Sequence, residues 1–173
     1  MQSSLTTPRL LIEPLGLNDT DFIFQLLNTE GWIKFIGNKN IQSKEDANAY
    51  IKKITENKNY SYLVVRLKEN KTELGIVTFI KREYLQHHDI GFAFLPEHAG
   101  KGYAYEAASA YLSDLLVNNK FSQLLATTLP ENTSSISLIK KLGLKYKEEI
   151  KEENEILHVY EVSAEDLKHK QPI

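Results

Sequence analysis

Apolar side chains recur along the chain with two spacings, one typical of strands and one typical of helices. Short apolar runs bounded by turn residues predict seven strands, over residues 10–15, 60–67, 74–80, 89–95, 124–128, 144–149 and 156–162. Longer segments with apolar residues three or four apart predict helices that begin near Asp19, Ser43, Gly102 and Asn132. Residues 31–37 are interpreted as a loop or a short helix.

The ends of these elements carry local signals. Ser43 and Asp46 have the spacing of a capping box, in which each side chain bonds the backbone of the other residue. Gly143 is expected just beyond the last helix, at the position where a left-handed residue ends many helices. Pro96 is expected to stop the strand before it, because proline has no N–H for a ladder.

The predicted element order is β-α-α-β-β-β-α-β-α-β-β. Some strands follow one another directly, whereas others are connected through a helix. This order predicts an α/β fold with a mixed sheet and helices on both faces. No repeat or low-complexity linker divides the chain, so we expect a single domain over residues 1–173.

Composition narrows the classes of function. Hydrophobic residues make up 42% of the chain and charged residues 25%, a balance typical of globular domains. Without cysteine the chain has no disulfide, thiol nucleophile or cysteine-based zinc site. The net charge is −2 and lysines alternate with glutamates, so we expect no nucleic-acid partner. No secretory signal is visible and no apolar run approaches the ~20 residues of a membrane span, so we expect a cytoplasmic protein without membrane contact.

The segment after the strand 89–95 has the composition of a phosphate-binding turn. It places Gly100 and Gly102 directly before a helix. Glycine lets backbone N–H groups approach an anion, and a helix N-terminus adds N–H donors and a positive dipole. Lys101 either adds charge there or points to solvent. A P-loop needs a hydroxyl residue at Gly102 and a dinucleotide fingerprint needs Gly or Ala at Tyr105, so both motifs fail. An ordinary turn at the start of a helix is the alternative.

A second segment begins at Asn132. Asn132 and Ser135 lie three residues apart and share one helix face, where they are able to offer polar groups to a ligand along the preceding strand. An ordinary N-cap beside a surface serine is the alternative.

Together these segments resemble the GNAT acetyltransferases. The run Gly100-Lys101-Gly102-Tyr103-Ala104, followed by Glu106-Ala107, is similar to the acetyl-CoA-binding motif Gln/Arg-x-x-Gly-x-Gly/Ala of that superfamily. Asn132-x-x-Ser135 with Lys141-Leu142-Gly143, and residues 7–15, resemble the branch that acetylates the N-termini of ribosomal proteins. The likeness covers nearly the whole chain in the right order.

The resemblance implies a mostly antiparallel GNAT sheet that binds acetyl-CoA as co-substrate and needs no metal. The strand end would pair its backbone with the pantetheine arm, and the glycine turn would hold the pyrophosphate. The helix that begins at Asn132 would face the reacting end of the cofactor. The residues implied are Phe92, Phe94, Leu95, Gly100, Lys101, Gly102, Tyr103, Ala104, Asn132 and Ser135.

Two positions depart from the family pattern. The leading Gln/Arg of the motif is Ala99 here, and the position where many members carry a tyrosine acid is Ile139. A thiol pKa near ~8.5 makes the thiolate a good leaving group without that acid. Ser135 is a candidate proton donor in its place.

Asp89 is our candidate for the general base, because the family often carries an acidic residue at this point of the central strand. A plain strand-end aspartate is the alternative role. His87 and His88 are alternative bases, and since they point to opposite faces of a strand, at most one enters the cleft.

The sequence thus predicts an N-acetyltransferase that moves an acetyl group to a primary amine in a direct ternary complex. The acceptor is a protein N-terminus or a small-molecule amine. Trp32 and Phe35 are expected to wall its site, with core packing as the alternative. The alternative function is a non-catalytic CoA-binding sensor or interaction domain on the same fold. The resemblance also allows a homodimer.

Overall fold

The computed structural model describes residues 4–118 and 121–168, the last of these without its side chain. The strands are β1 (Leu5–Thr6), β2 (Leu10–Pro14), β3 (Tyr60–Leu67), β4 (Glu73–Ile80), β5 (Asp89–Phe94), β6 (Gln123–Thr128), β7 (Lys145–Glu152) and β8 (Glu155–Ser163). The helices are α1 (Thr20–Leu27), α2 (Glu30–Phe35), α3 (Lys44–Glu56), α4 (Tyr103–Val117), α5 (Thr133–Leu142) and α6 (Ala164–Lys168).

The strands form a sheet in the order β1-β2-β3-β4-β5-β6-β8-β7. Neighbouring strands are antiparallel except β5 and β6, which are parallel and are linked through α4. A parallel pair needs such a crossover, because a hairpin joins only antiparallel strands. The predicted mixed, mostly antiparallel α/β sheet is therefore confirmed.

Helices cover both faces of the sheet, as predicted. On one face α4 and α5 pack over a core that includes Leu63, Phe79, Leu112, Leu124, Ile139 and Tyr160. On the other face α1, α2 and α3 pack over a core that includes Ile23, Leu26, Trp32, Ile51, Val64 and Ile76. Burial of these apolar side chains holds the layers together, at roughly 25 cal/mol per Å² of apolar surface removed from water.

Local signals in the sequence match the element ends. Ser43 Oγ accepts the N–H of Asp46 at 3.1 Å, and Asp46 Oδ2 accepts the N–H of Ser43 at 2.9 Å, so the capping box before α3 is confirmed. Gly143 follows α5 with φ of +101°, the left-handed conformation expected of a C-terminal glycine.

Three elements differ from the prediction or were left open by it. The stretch 31–37 is largely the short helix α2, which is capped by Thr29, whose hydroxyl accepts the N–H of Trp32 at 3.3 Å. Strand β1 and helix α6 were not predicted. They contain two and five residues, too few for a spacing of apolar side chains to stand out.

Candidate active site

The neighbouring strands β5 and β6 pair at a single position in the part of the chain that the structure describes. Asp89 lies opposite Leu125, whose N–H donates to the carbonyl of His88 at 2.9 Å. The even spacing of a parallel ladder would next place the N–H of Thr127 on the carbonyl of Ile90. Instead the N–H of Thr127 donates to Asp89 Oδ1 at 3.0 Å. The ladder ends there, and a gap opens between the two strands.

The backbone of β5 faces this gap at every second residue. The carbonyl of His88 points toward β6, so the backbone groups of Phe92 and Phe94, four and six residues further along, point to the same side. Leu95 is placed differently from the prediction. Its N–H donates to Leu74 at 2.9 Å, its carbonyl accepts from His98 at 3.0 Å, and its side chain is buried. The backbone groups of Phe92 and Phe94 therefore face the gap and are available to a ligand.

The turn that follows β5 leaves open space beside its backbone N–H groups. Gly100 and Gly102 have φ of +73° and +80°, which side-chain-bearing residues rarely adopt. A Cβ on Gly100 would meet nothing within 4 Å, and a Cβ on Gly102 would meet only the Nη2 atom of Arg9, at 3.4 Å. Tyr103 and Ala104 then begin α4, where the first N–H groups have no partner inside the helix.

Helix α5 begins at the same end of the gap. Its N-cap Asn132 accepts the N–H of Ser135 on Oδ1 at 3.2 Å, so the capping role is confirmed. Both residues are half-buried. Because β5 and β6 are parallel, the helices that follow them start at the same edge of the sheet, which is where ligands bind in parallel sheets. Whether Asn132 and Ser135 also contact a cofactor stays a prediction.

Asp89 lies at the closed end of the gap and is 3% exposed. Its Oδ2 accepts from Nε of Arg82 at 2.6 Å, and its Oδ1 accepts from both the N–H and the hydroxyl of Thr127. Burial raises the pKa of the Asp89 carboxyl, and the bonds from Arg82 and Thr127 reduce that rise. Asp89 therefore fixes the point at which the strands separate, with a proton affinity higher than that of an exposed aspartate.

Comparison with known proteins identifies the family. A family model described as an acetyltransferase (GNAT) domain matches residues 9–145. The chain belongs to the GNAT acetyltransferase family. It is an acetyltransferase, and members of this family use acetyl-CoA as the acyl donor.

Relatives and solved structures agree with the family. The chain is 30% identical to the uncharacterised N-acetyltransferase YnaD of Bacillus subtilis (strain 168), over 82% of each protein. A GNAT-family acetyltransferase from Bacillus anthracis superposes with a TM-score of 0.80 at 26% identity, covering 94% of this chain and 99% of that one. RimL, a ribosomal L7/L12 α-N-protein acetyltransferase in complex with coenzyme A, superposes at 0.80 with 10% identity, covering 93% and 98%. At that identity the likeness to RimL shows the fold alone.

The two aromatic residues predicted to wall the acceptor site of this GNAT protein have different surroundings. Trp32 is 4% exposed and packs in the core beneath α1 and α3. Its Nε1 is buried without a partner among the described residues. Phe35 is half-buried, with Nζ of Lys34 at 5.0 Å from the ring centroid. Core packing thus explains Trp32, and an acceptor contact from either residue stays a prediction.

On the face of the sheet that α3 covers, side chains of neighbouring strands form a row from β3 toward the gap. Tyr62 lies opposite Thr78, and Thr78 lies opposite Gly91. A Cβ on Gly91 would stand 2.6 Å from Oγ1 of Thr78, so the glycine leaves room for that hydroxyl. Burial raises the pKa of Tyr62. This face brings phenol and hydroxyl groups next to the buried Asp89.

His88, an alternative base, faces away from Asp89. Its ring stacks on Phe79 with centroids 4.4 Å apart and an interplanar angle of 5°, and Phe121 packs against both. Burial lowers the pKa of His88, so the ring favours its neutral form. It is a packing residue of the α4 face.

The sequence analysis assigned no role to several residues that lie at the candidate site, namely Arg9, Thr78, Arg82, Glu106 and Thr127. Two of them carried a weak signal. Thr127 is a polar residue within an apolar strand, and Glu106 is a carboxylate in an alanine-rich first turn. Their partners lie far away in the sequence, so spacing alone did not expose them.

The described residues add two negative findings. Among residues 4–118 and 121–168, no group of three or more His, Cys, Asp or Glu side chains is placed to hold a metal ion. No helix in that part of the chain has the length and apolar character needed to span a membrane.

Proposed function

We propose that this protein transfers the acetyl group of acetyl-CoA to a primary amine inside the gap between β5 and β6. The observation that carries the proposal is the single pairing of these strands, which opens the sheet directly beside the glycine turn and the start of α4. An extended thioester with an anionic end fits such a gap, because one end offers strand backbone and the other offers helix N–H donors.

The donor lies along β5 in this proposal. The pantetheine arm pairs with the backbone of Phe92 and Phe94, which is free of β6. The pyrophosphate is bound by the backbone N–H groups around the glycine turn, from Gly100, Lys101, Gly102, Tyr103 and Ala104. The Nζ of Lys101 donates to the carbonyl of Glu97 at 3.0 Å, so its charge stays beside the turn.

The reaction is a direct transfer. The neutral amine nitrogen attacks the thioester carbon, a tetrahedral oxyanion forms, and its collapse breaks the carbon–sulfur bond. Strand N–H groups stabilise the oxyanion. The proton lost by the amine goes to a base, and the CoA thiolate takes a proton from solvent or from Ser135. Ser135 lies in the first turn of α5, at the edge of the sheet where the gap opens.

We propose Asp89 as the base, acting through water. Its pKa is raised by burial, which favours proton uptake by a carboxylate. Oδ1 already accepts two bonds from Thr127, so Oδ2, shared with Arg82, is the oxygen left for a water.

The acceptor is a primary amine, and the ribosomal-branch resemblance favours a protein N-terminus over a small molecule. It would approach from the face covered by α1 to α3, where Trp32, Phe35 and Tyr62 lie. A cytoplasmic location and a homodimer stay predictions. The second candidate function, a CoA-binding sensor, is favoured by Ala99 and Ile139, which replace two family side chains.

Release of CoA with a panel of amines tests the function. The purified protein is given acetyl-CoA with N-terminal peptides, polyamines and amino acids, and free thiol is measured. We expect turnover with at least one amine and none without acceptor. Saturable binding of acetyl-CoA without turnover on any amine would support the sensor instead.

Gly102→Val tests the pyrophosphate seat. Valine adds bulk where the anion would lie, beside Nη2 of Arg9, so we expect acetyl-CoA affinity to fall by at least ~10-fold. Valine at positive φ also strains the backbone by about 1–2 kcal/mol. Gly37→Val, at φ of +108° with nothing within 4 Å of an added Cβ, carries a comparable backbone strain away from this turn and serves as the control. Calorimetry that finds equal affinity losses in the two variants would contradict the seat.

Asn132→Asp and Ser135→Ala test the start of α5. Aspartate still caps the helix, so we expect an unchanged melting temperature. It cannot donate an amide hydrogen bond, so we expect kcat/KM for acetyl-CoA to fall. Ser135→Ala should slow turnover at constant stability, whereas Ser137→Ala, on the exposed side of α5, should have no effect. Unchanged kinetics in both test variants would remove α5 from the site.

Arg82→Gln tests Asp89 through the pH profile. A base must be ionised, so kcat/KM falls as the pH drops below the pKa of Asp89. Arg82 lowers that pKa, so its removal raises the pKa further, and we expect the acid limb to move to higher pH. Lys145→Gln, which removes an exposed cation, should leave the limb in place. Asp89→Asn should reduce turnover by ~10²-fold or more. An acid limb that does not move in Arg82→Gln rejects Asp89 as the base.

A further inference from the structure

Arg9 connects the start of the chain to the glycine turn. It lies between β1 and β2, and its Nη1 donates to the carbonyl of Lys101 at 3.1 Å. The guanidinium carbon stands 4.5 Å from the centroid of the Tyr103 ring. The Nη2 atom is the group nearest to the space that a Cβ would take on Gly102. One side chain thus contacts Lys101 and Tyr103 and lies beside Gly102, so it spans the turn and the helix start.

Glu106 holds the guanidinium in this position. Its Oε2 accepts from Nε of Arg9 at 2.7 Å, and its Oε1 accepts from the Arg9 N–H at 3.0 Å and from the Thr7 hydroxyl at 2.6 Å. Burial opposes ionisation of Glu106, but these bonds prevail and lower its pKa. Glu106 sits in the first turn of α4, so the Arg9 side chain and the helix start are fixed to each other.

The planarity of the peptide bond carries this restraint to the donor site. In a trans peptide the carbonyl of one residue and the N–H of the next point in opposite directions. When Arg9 binds the carbonyl of Lys101, the N–H of Gly102 must point away from Arg9. Gly100 and Gly102 lie on either side of Lys101 and have positive φ. Because glycine has the most backbone freedom of any residue, an external contact is needed to restrain the orientation of this peptide.

We propose that Arg9 is a positioning residue of the donor site, which orients the Lys101–Gly102 peptide so that the N–H of Gly102 faces the pyrophosphate of acetyl-CoA. This inference rests on the proposed function of the turn. Ala99 has no polar side chain with which to order the turn. In this proposal Arg9, which lies 92 positions before Lys101, orders it instead.

Donor truncation separates this role from a general structural one. Binding of acetyl-CoA, acetyl-dephospho-CoA and acetyl-pantetheine is measured by calorimetry in Arg9→Ala. We expect an affinity loss of about tenfold for the first two donors, equivalent to about 1.4 kcal/mol. We expect no loss for acetyl-pantetheine, which has no pyrophosphate. An equal loss for all three donors, or a loss confined to acetyl-CoA, would overturn the proposal.

Arg9→Lys keeps an ion pair with Glu106 and so keeps the fold if Arg9→Ala does not. A lysine lacks the planar fork that reaches Glu106 and the Lys101 carbonyl together, so we expect the same donor-selective loss. Full affinity in Arg9→Lys contradicts orientation by the fork. Lys145→Gln, which removes a cation from an exposed ion pair with Asp166, is the control and should bind all donors normally.

The Gly102→Val measurement tells the two possible failures apart. If Gly102→Val binds acetyl-CoA normally, the pyrophosphate is not at this turn, and both the proposed donor site and the role of Arg9 are rejected. If Gly102→Val loses affinity while both Arg9 variants bind normally, only the role of Arg9 is rejected.

Discussion

The candidate site depends on the position at which β5 and β6 stop pairing. A parallel pair that continued along its full length would use the backbone of Phe92 and Phe94 within the sheet and leave nothing for a ligand. The carboxylate of Asp89 takes the N–H of Thr127 and ends the ladder. Because the strands separate from that point, the starts of α4 and α5 border a gap instead of a closed sheet edge.

Placing this carboxylate inside the protein has a cost that is offset locally. A buried ion without partners costs several kcal/mol, and Asp89 has three donors, one from Arg82 and two from Thr127. Burial still raises its pKa. Asp89 is buried where it ends the pairing of β5 and β6, and the same burial raises its proton affinity, as a general base requires. Its structural role and its proposed chemical role are therefore compatible.

The sequence predicted the parts of this molecule that depend on local spacing. The strands from β2 to β8, the helices α1, α3, α4 and α5, and the glycine turn each leave a pattern within about fifteen residues. The gap itself was not predictable from spacing, because it depends on Thr127 and Asp89, which lie 38 positions apart. The resemblance to the family assigned Leu95 to the cofactor as part of the strand end, yet its backbone bonds Leu74 and His98 once the chain turns. A short strand such as β1 has too few residues for any period.

The departure at Ala99 can be explained by the property that the two residues usual at this motif position share. Glutamine and arginine both satisfy that position, and the property they share is hydrogen-bond donation, since only arginine is charged. Arg9 supplies N–H donors to the same turn from another part of the chain, while Glu106 offsets its charge. The pair therefore contributes geometry to the turn more than net positive potential. The attraction for an anion then comes from the backbone N–H groups and the dipole of α4, with Lys101 beside them. A seat built from backbone tolerates the loss of one side chain at position 99, provided that another residue keeps its peptides oriented.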